Sequence, residues 1–176
     1  MSEYDSAYGT HHAWFGNEPD PLLTANMDRV LALPGTILDL GAGQGRHCLP
    51  LARMGKTVVA VDPSGTSIEQ IQQHRREGDL QSGLTLIRGG FQAISRRARF
   101  DAVLLFGLIQ ELPRHLVRDL AGCCRSWCGE TGMVLITAFT TDDPAFPVLK
   151  GTAEMKEKNS FCTPGGAWKT FLEPGE

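Results

Sequence analysis

Asp62 is the residue of this chain that best suits a sugar ligand. It follows a predicted apolar strand over 57–61 and precedes Pro63 and Ser64, as expected at the carboxyl end of a buried strand. Its two carboxylate oxygens accept hydrogen bonds and match the two adjacent hydroxyls of a ribose. The sequence therefore predicts a nucleoside-containing ligand at this position.

A glycine-rich turn lies upstream of this acid. The run Asp39-Leu40-Gly41-Ala42-Gly43-Gln44-Gly45-Arg46 follows a predicted strand over 36–40. Gly41 and Gly43 permit a sharp turn and leave the backbone open to a ligand. The dinucleotide fingerprint G-x-G-x-x-G requires a glycine where Arg46 stands. Together with the lack of a Tyr-x-x-x-Lys pair, this disfavours a nicotinamide-dependent oxidoreductase.

The elements around this turn predict an α/β fold. The predicted strands are 36–40, 57–61, 84–88, 100–106 and 133–139, and the predicted helices are 22–33, the segment after Gly45, 64–76 and 113–127. The strands are continuously apolar, which is typical of a parallel sheet with helices on both faces. In such a sheet, a ligand binds at the carboxyl edge of the strands.

Composition limits the partners of this chain. Its 176 residues carry a net charge of −3, with 41% hydrophobic and 21% charged residues. These values predict a single soluble domain and give no basic footprint for nucleic acid. The sequence contains no apolar run of membrane-spanning length and no signal region, so the predictions are a cytoplasmic location, no membrane partner, and a monomer or homodimer.

The cysteines are interpreted as core residues and not as a metal site. The predicted helix over 113–127 has an apolar stripe that consists of Leu116, Val117, Leu120, Ala121, Cys124, Trp127 and Cys128. Cys123 falls off this stripe. Because the paired C-x-x-C spacing of zinc sites is absent, no metal and no disulfide framework are predicted.

The glycine turn and the acid together resemble the class I S-adenosylmethionine-dependent methyltransferases. The Asp39–Gly45 pattern resembles motif I of that family, and Val61-Asp62-Pro63-Ser64 resembles its ribose-binding acid. Shorter segments resemble the tellurite-resistance branch of small-molecule methyltransferases: Trp14-Phe15-Gly16, Gly45-Arg46-His47 and the terminal 170–176.

This resemblance implies a Rossmann-like fold, S-adenosylmethionine as cofactor, and a set of contact residues. At the methionine and ribose side, the implied contacts are Asp39 for the amino-acid end, Gly41, Ala42 and Gly43 for methionine and ribose, and Asp62 for the ribose. Beside the adenine they are Pro63, Ser64, Gly90 and Phe91. Under the methionine chain they are Phe106 and Gly107. Gly90 and Phe91 replace an acidic residue that often binds the adenine amine in this family.

The expected activity is methyl transfer to a small-molecule acceptor, such as a thiol, an oxyanion or a metabolite. Methyl transfer depends mainly on positioning and desolvation, so no catalytic residue is predicted. His11, His12 and Trp14 are candidates to touch the substrate, since the segment before the first helix can fold over the cofactor. A cofactor-binding module without chemistry is the alternative, and an oxidoreductase is a weaker one.

One domain with three segments is expected to bind the cofactor and cover the site. Residues 1–34 form an arm and helix that serve as a lid, residues 35–141 form the cofactor-binding core, and residues 142–176 form an extension. We expect no sixth or seventh strand after Lys150, hence no terminal hairpin of the kind this family usually has, and a chain that stops short of the native end.

Gly43→Val should abolish cofactor binding more completely than Gly45→Ala, since Gly45 is expected to have helical backbone angles.

Overall fold

A computed structural model describes residues 3–10, 13–78, 80 and 82–176 of the chain. Its helices are α1 (Glu3–Thr10), α2 (Pro21–Ala25), α3 (Met27–Ala32), α4 (Cys48–Arg53), α5 (Gly65–Glu77), α6 (Arg114–Cys128) and α7 (Ala145–Thr152). Its strands are β1 (Ile37–Leu40), β2 (Val58–Asp62), β3 (Leu84–Arg88), β4 (Ala102–Phe106), β5 (Met133–Thr137), β6 (Glu154–Glu157), β7 (Ser160–Cys162) and β8 (Trp168–Thr170).

The first five strands form one parallel sheet in the order β3-β2-β1-β4-β5. This confirms the predicted sheet and all five predicted strands, with small differences at their ends. The chain builds outward from β1 through β2 to β3, then returns to the other side of β1 with β4. The strand order therefore reverses between β1 and β4, the place where sheets of this kind bind ligands.

The central strands β1, β2 and β4 are buried on both faces, which explains why they are continuously apolar. Ile37 of β1 packs into a cluster with Leu51 of α4. Its neighbour Leu38 packs on the opposite face, in a cluster with Leu120 and Trp127 of α6. Successive side chains of a strand point to opposite faces, so both must be apolar for helices to cover each side.

The helix predicted over 22–33 is interrupted. Asp20 caps α2 by accepting a hydrogen bond from the Leu22 N–H at 2.9 Å. Asn26 then departs from helical angles and separates α2 from α3. Its amide donates to the Leu22 carbonyl at 2.9 Å, a local side-chain bond that competes with the helix.

The apolar stripe predicted for α6 is partly wrong. Cys123, expected off the stripe, is buried, and Ala121, expected on it, is exposed. Cys124 and Trp127 are buried as predicted. All five cysteines are free thiols, and the described residues contain no group of three or more His, Cys, Asp or Glu side chains that could hold a metal ion.

The segment after Lys150 contradicts the expectation that it lacks strands. Strands β6, β7 and β8 form a separate antiparallel sheet. Asn159 turns the chain between β6 and β7 with a φ of 53°, a conformation that asparagine tolerates well. An isolated parallel bridge joins Thr140, which follows β5, to Leu172, which follows β8.

An aromatic cluster fixes this second sheet. Phe161 and Phe171 are fully buried, and their ring centroids are 6.1 Å apart. Phe146 of α7 contacts both rings at 5.9 and 5.3 Å, and Phe139 stacks on Phe171 at 5.7 Å. Within the described part of the chain, no helix is long and apolar enough to cross a membrane.

Candidate functional site

Asp62 is held rigidly at the carboxyl end of β2. Its Oδ2 accepts a hydrogen bond from the Gly43 N–H and its Oδ1 accepts one from the Ser64 N–H, both at 2.8 Å. Burial raises the pKa of this carboxyl, while the two backbone N–H groups oppose that rise. A carboxylate fixed in this way keeps its remaining lone pairs in a constant direction, as recognition of a ribose requires.

The glycine turn curls over Asp62 from β1. The N–H groups of Gly41 and Ala42 both donate to the Val61 carbonyl, at 2.9 and 3.1 Å. Gly41 and Gly43 have φ values of 74° and 52°, which non-glycine residues rarely adopt. The turn is therefore tied to the end of β2 and depends on glycine for its shape.

Gly45 differs from its prediction. Its φ is 90°, so it precedes helix α4 in a left-handed conformation and does not have helical angles. A Cβ at this position would lie 2.7 Å from Leu49 Cδ1 and 3.1 Å from Ile71 Cγ1. Gly45 is thus required by packing beneath the turn, where α4 and α5 meet.

Asp39 and His47 form a buried polar pair below the turn. Asp39 is 1% exposed, its Oδ1 lies 4.0 Å from His47 Nδ1, and its Oδ2 has no hydrogen-bond partner among the described residues. Burial raises the pKa of Asp39 to about 7 and lowers the pKa of His47 to about 4. The His47 ring also packs on Phe106, with centroids 4.4 Å apart.

The other predicted contact residues lie on the same edge of the sheet. Phe91 is buried in a short 3-10 turn (Phe91–Ala93) after β3, and Gly90 before it is exposed. Gly107 follows β4 with a φ of 70°, and its N–H donates to Thr137 Oγ1 at 3.1 Å. Pro63 is exposed and Ser64 is fully buried. The structure therefore gathers these residues around the ends of adjacent strands.

Helix α1 lies across this edge. Ser64 Oγ donates to Asp5 Oδ1 at 2.5 Å, and Gln70 Nε2 donates to the Tyr8 carbonyl at 2.8 Å. Tyr8 is 5% exposed, and its hydroxyl lies 3.2 Å from the place that a Cβ on Gly43 would occupy. Tyr8 carries no local motif that marks it in the sequence, since only its contacts across the fold give it this position.

The segment that follows α1 is attached to the glycine turn. Trp14 donates its backbone N–H to Gln44 Oε1 at 2.7 Å, while its side chain is 48% exposed. Arg46 donates to the Phe15 carbonyl at 2.6 Å and pairs with Asp20 at 3.4 Å. Trp14 therefore lies near the predicted site, whereas His11 and His12 lie outside the described residues.

A 3-10 turn (Ile109–Glu111) borders the site on the β4 side. Gln110 is 9% exposed, and its Oε1 has no hydrogen-bond partner among the described residues. Glu111 forms an ion pair with Lys169 of β8, and Thr170 Oγ1 donates to the Leu112 carbonyl at 2.6 Å. The antiparallel sheet thus supports the turn that carries Gln110.

Comparison with known sequences gives consistent matches. A family model described as a methyltransferase domain matches residues 37–132, more than half of the chain. A ubiquinone biosynthesis O-methyltransferase from Rhodopseudomonas palustris is 28% identical over 142 residues, 80% of this chain and 53% of that protein. Another from Bradyrhizobium diazoefficiens is 26% identical over 146 residues, covering 78% and 56%. The chain spans about half the length of these curated relatives.

Solved structures share the fold. The glycopeptide N-methyltransferase MtfA in complex with sinefungin is 25% identical, with a TM-score of 0.60, and the match covers 76% of this chain and 55% of that one. The DhpI-SAM-HEP complex is 18% identical, with a TM-score of 0.63, covering 98% and 81%. Both matches confirm the Rossmann-like parallel-sheet fold predicted from the sequence.

Proposed function

Since the chain belongs to the methyltransferase-domain family, we propose that it transfers a methyl group from S-adenosylmethionine to a small-molecule acceptor. The observation that carries this proposal is the arrangement of Asp62, whose two oxygens are fixed by the N–H groups of Gly43 and Ser64 beside a glycine turn. This arrangement offers acceptor atoms for a ribose and an open backbone for the rest of the cofactor.

The residues at the sheet edge fit this cofactor. Asp39 Oδ2 lacks a partner among the described residues, and a buried acceptor of that kind suits an ammonium group. Phe91, buried after β3, offers an apolar surface to the adenine in place of the acidic residue. Gly41 and Gly43 supply the cradle in which a side chain would occupy the ligand's place.

The protein's part in the reaction is positioning and exclusion of water. The bound cofactor supplies an activated methyl group on a sulfonium. Asp62 and the glycine turn hold that cofactor, and α1 covers the same edge through the contacts of Asp5 and Tyr8. Desolvation and alignment lower the barrier to methyl transfer without a catalytic base.

The lid role of residues 1–34 follows from the same contacts. Asp5 and Tyr8 tie α1 to Ser64 and Gln70, so a ligand that reaches Asp62 from this side must displace α1. Residues 35–141 hold the proposed cofactor contacts, and residues 142–176 support the Gln110 turn through Lys169 and Thr170. The division into lid, core and supporting extension is thus part of the proposal.

The acceptor class is taken from the family and from the resemblance of short segments. Relatives with similar sequences or structures are named as O- and N-methyltransferases, so hydroxyl and amine groups join thiols and oxyanions as candidate acceptors. Membership of the tellurite-resistance branch, with an oxyanion acceptor, stays a prediction. So do a cytoplasmic location, the absence of a nucleic-acid partner, and a monomeric or homodimeric state.

Transfer of a labelled methyl group tests the proposed activity. We expect label from S-adenosylmethionine to appear on at least one member of a panel of small phenols, amines, thiols and oxyanions. Asp62→Ala should lower this transfer at sub-saturating cofactor, whereas Asp142→Ala, which removes an exposed carboxylate after β5, should not. Cofactor binding without transfer to any acceptor class would favour the alternative of a non-catalytic binding module.

A further inference from the structure

Polar atoms without partners lie around the reversal point of the sheet. Asp39 Oδ2 and Gln110 Oε1 are buried and have no hydrogen-bond partner among the described residues. Tyr8, on a side chain 5% exposed, brings a phenol hydroxyl to the same region. Unpartnered polar atoms are costly in a folded protein and call for an explanation, such as a catalytic role or a bound water or ion; a polar ligand would satisfy them in the same way. The two unpartnered atoms come from β1 and from the 3-10 turn after β4, and both lie at one edge of the sheet.

Tyr8 reaches this edge from α1. Its hydroxyl approaches the space that the missing Cβ of Gly43 leaves open, at 3.2 Å. Burial is the largest cause that raises the pKa of this phenol, followed by the charges of Asp62 and Glu111. The hydroxyl is therefore protonated at neutral pH and serves as a hydrogen-bond donor, located between the end of β2 and the turn after β4.

Gln110 makes an equivalent approach from the opposite side. Its Nε2 lies 3.5 Å from the place that a Cβ on Gly107 would occupy, and its Oε1 has no partner in the described part of the chain. An amide presents both a donor and an acceptor. Gly107 is the residue directly after β4, three residues beyond Leu104, which pairs with Asp39 of β1 in the parallel sheet.

We propose that Tyr8 and Gln110 bind the amino-acid end of the cofactor, an assignment that rests on the proposed function. The chemistry is complementary to a zwitterion. Asp39 Oδ2 and the Gln110 carbonyl oxygen are acceptors for an ammonium group, and the Tyr8 hydroxyl and the Gln110 N–H are donors to a carboxylate. The lid helix thus contributes a ligand contact in addition to covering the site.

Two ligands that differ only at this end separate the proposal from a general effect on binding. S-adenosylhomocysteine carries the amino-acid group, whereas 5′-methylthioadenosine keeps the adenine, the ribose and the sulfur but lacks that group. Calorimetric titration gives the dissociation constant of each ligand for the full chain. Tyr8→Phe and Gln110→Met remove the polar atoms and keep the side-chain volume close to the original.

The proposal predicts a selective loss. Each variant should bind S-adenosylhomocysteine about tenfold or more weakly, the effect of one hydrogen bond to a charged group, and should bind 5′-methylthioadenosine as the wild type does. Gln73→Met, on the exposed side of α5, is a matched control for Gln110→Met that should change neither constant. Unchanged circular dichroism confirms that the variants fold.

Other outcomes overturn the assignment in distinct ways. Equal weakening of both ligands means that Tyr8 and Gln110 act on the adenosine part or on the fold. Unchanged binding means that they do not touch the ligand, and tighter binding by Tyr8→Phe means that the phenol competes with it. If the wild-type chain binds neither ligand, the proposed function itself fails, a result visible before any variant is made.

Discussion

Replacing Gly45 by alanine should destabilise the fold far more than the same change at Gly43. Gly45 has a φ of 90°, and a left-handed conformation costs a residue with a Cβ about 1–2 kcal/mol. The new Cβ would also lie 2.7 Å from Leu49 Cδ1 and 2.9 Å from Leu49 Cγ. Overpacking of a core usually costs about 1–3 kcal/mol, so the two effects together give about 2–5 kcal/mol.

Gly43→Ala carries only the backbone cost. Its φ is 52°, and the nearest atom to a new Cβ is the Tyr8 hydroxyl at 3.2 Å, the far end of a side chain that moves aside. The expected loss of stability is about 1–2 kcal/mol, together with weaker cofactor binding because the methyl group projects into the ligand's place.

Urea unfolding followed by circular dichroism measures both values. A domain of this kind has a free energy of unfolding of about 5–15 kcal/mol, so Gly45→Ala should shift the midpoint strongly and Gly43→Ala modestly. Equal midpoints for the two variants, or a loss below about 1 kcal/mol for Gly45→Ala, would contradict the packing argument. That result would support the helical angles expected from the sequence.

Three further predictions concern ligand binding, pH and the lid. Asp62→Ala should weaken binding of S-adenosylhomocysteine by about 1.5–3 kcal/mol with the circular dichroism intact, and an unchanged dissociation constant would refute the ribose contact. The raised pKa of Asp39, about 7, contributes stability that is full below about pH 4 and is lost as the pH rises towards 7. The lowered pKa of His47, about 4, contributes stability that is full above about pH 6.5 and is lost as the pH falls towards 4. In the wild type, the two contributions to the pH dependence of the unfolding free energy offset each other. Between pH 4.5 and 6.5, the unfolding free energy of His47→Gln should therefore fall with rising pH and that of Asp39→Asn should rise, each by at most about 1.4 kcal/mol per pH unit. The same pH dependence for both variants in urea unfolding would contradict this reasoning. Hydrogen exchange of residues 3–10 and 150–176 should slow when S-adenosylhomocysteine binds, and protection limited to residues 41–62 would remove the lid.

The parts of the fold that the sequence predicts are those with strong local signals. The central strands β1, β2 and β4 are buried on both faces, so their apolar runs are unbroken. The glycine turn with Asp62 has a spacing that few ligand sites share. The antiparallel sheet lacks such signals. Glu154–Glu157 is mostly exposed and mostly charged, and the burial of Phe161 depends on aromatic partners distant in sequence.

The residues proposed to bind the amino-acid end of the cofactor have no local pattern either. Tyr8 and Gln110 matter because of what lies opposite them, at Gly43 and Gly107. His47 lies directly before α4, and its proximity to Asp39 and Phe106 depends on how α4 packs on the sheet. Long-range packing thus determines which polar groups near a recognised motif face the ligand.

Calorimetric titration of the full chain with S-adenosylhomocysteine and with NAD, under identical conditions, tests the central claim most directly. The Asp39–Gly45 turn and the fixed carboxylate of Asp62 predict saturable binding of S-adenosylhomocysteine with one site per chain, and binding of NAD that is far weaker. Binding of NAD that equals or exceeds that of S-adenosylhomocysteine would contradict the account.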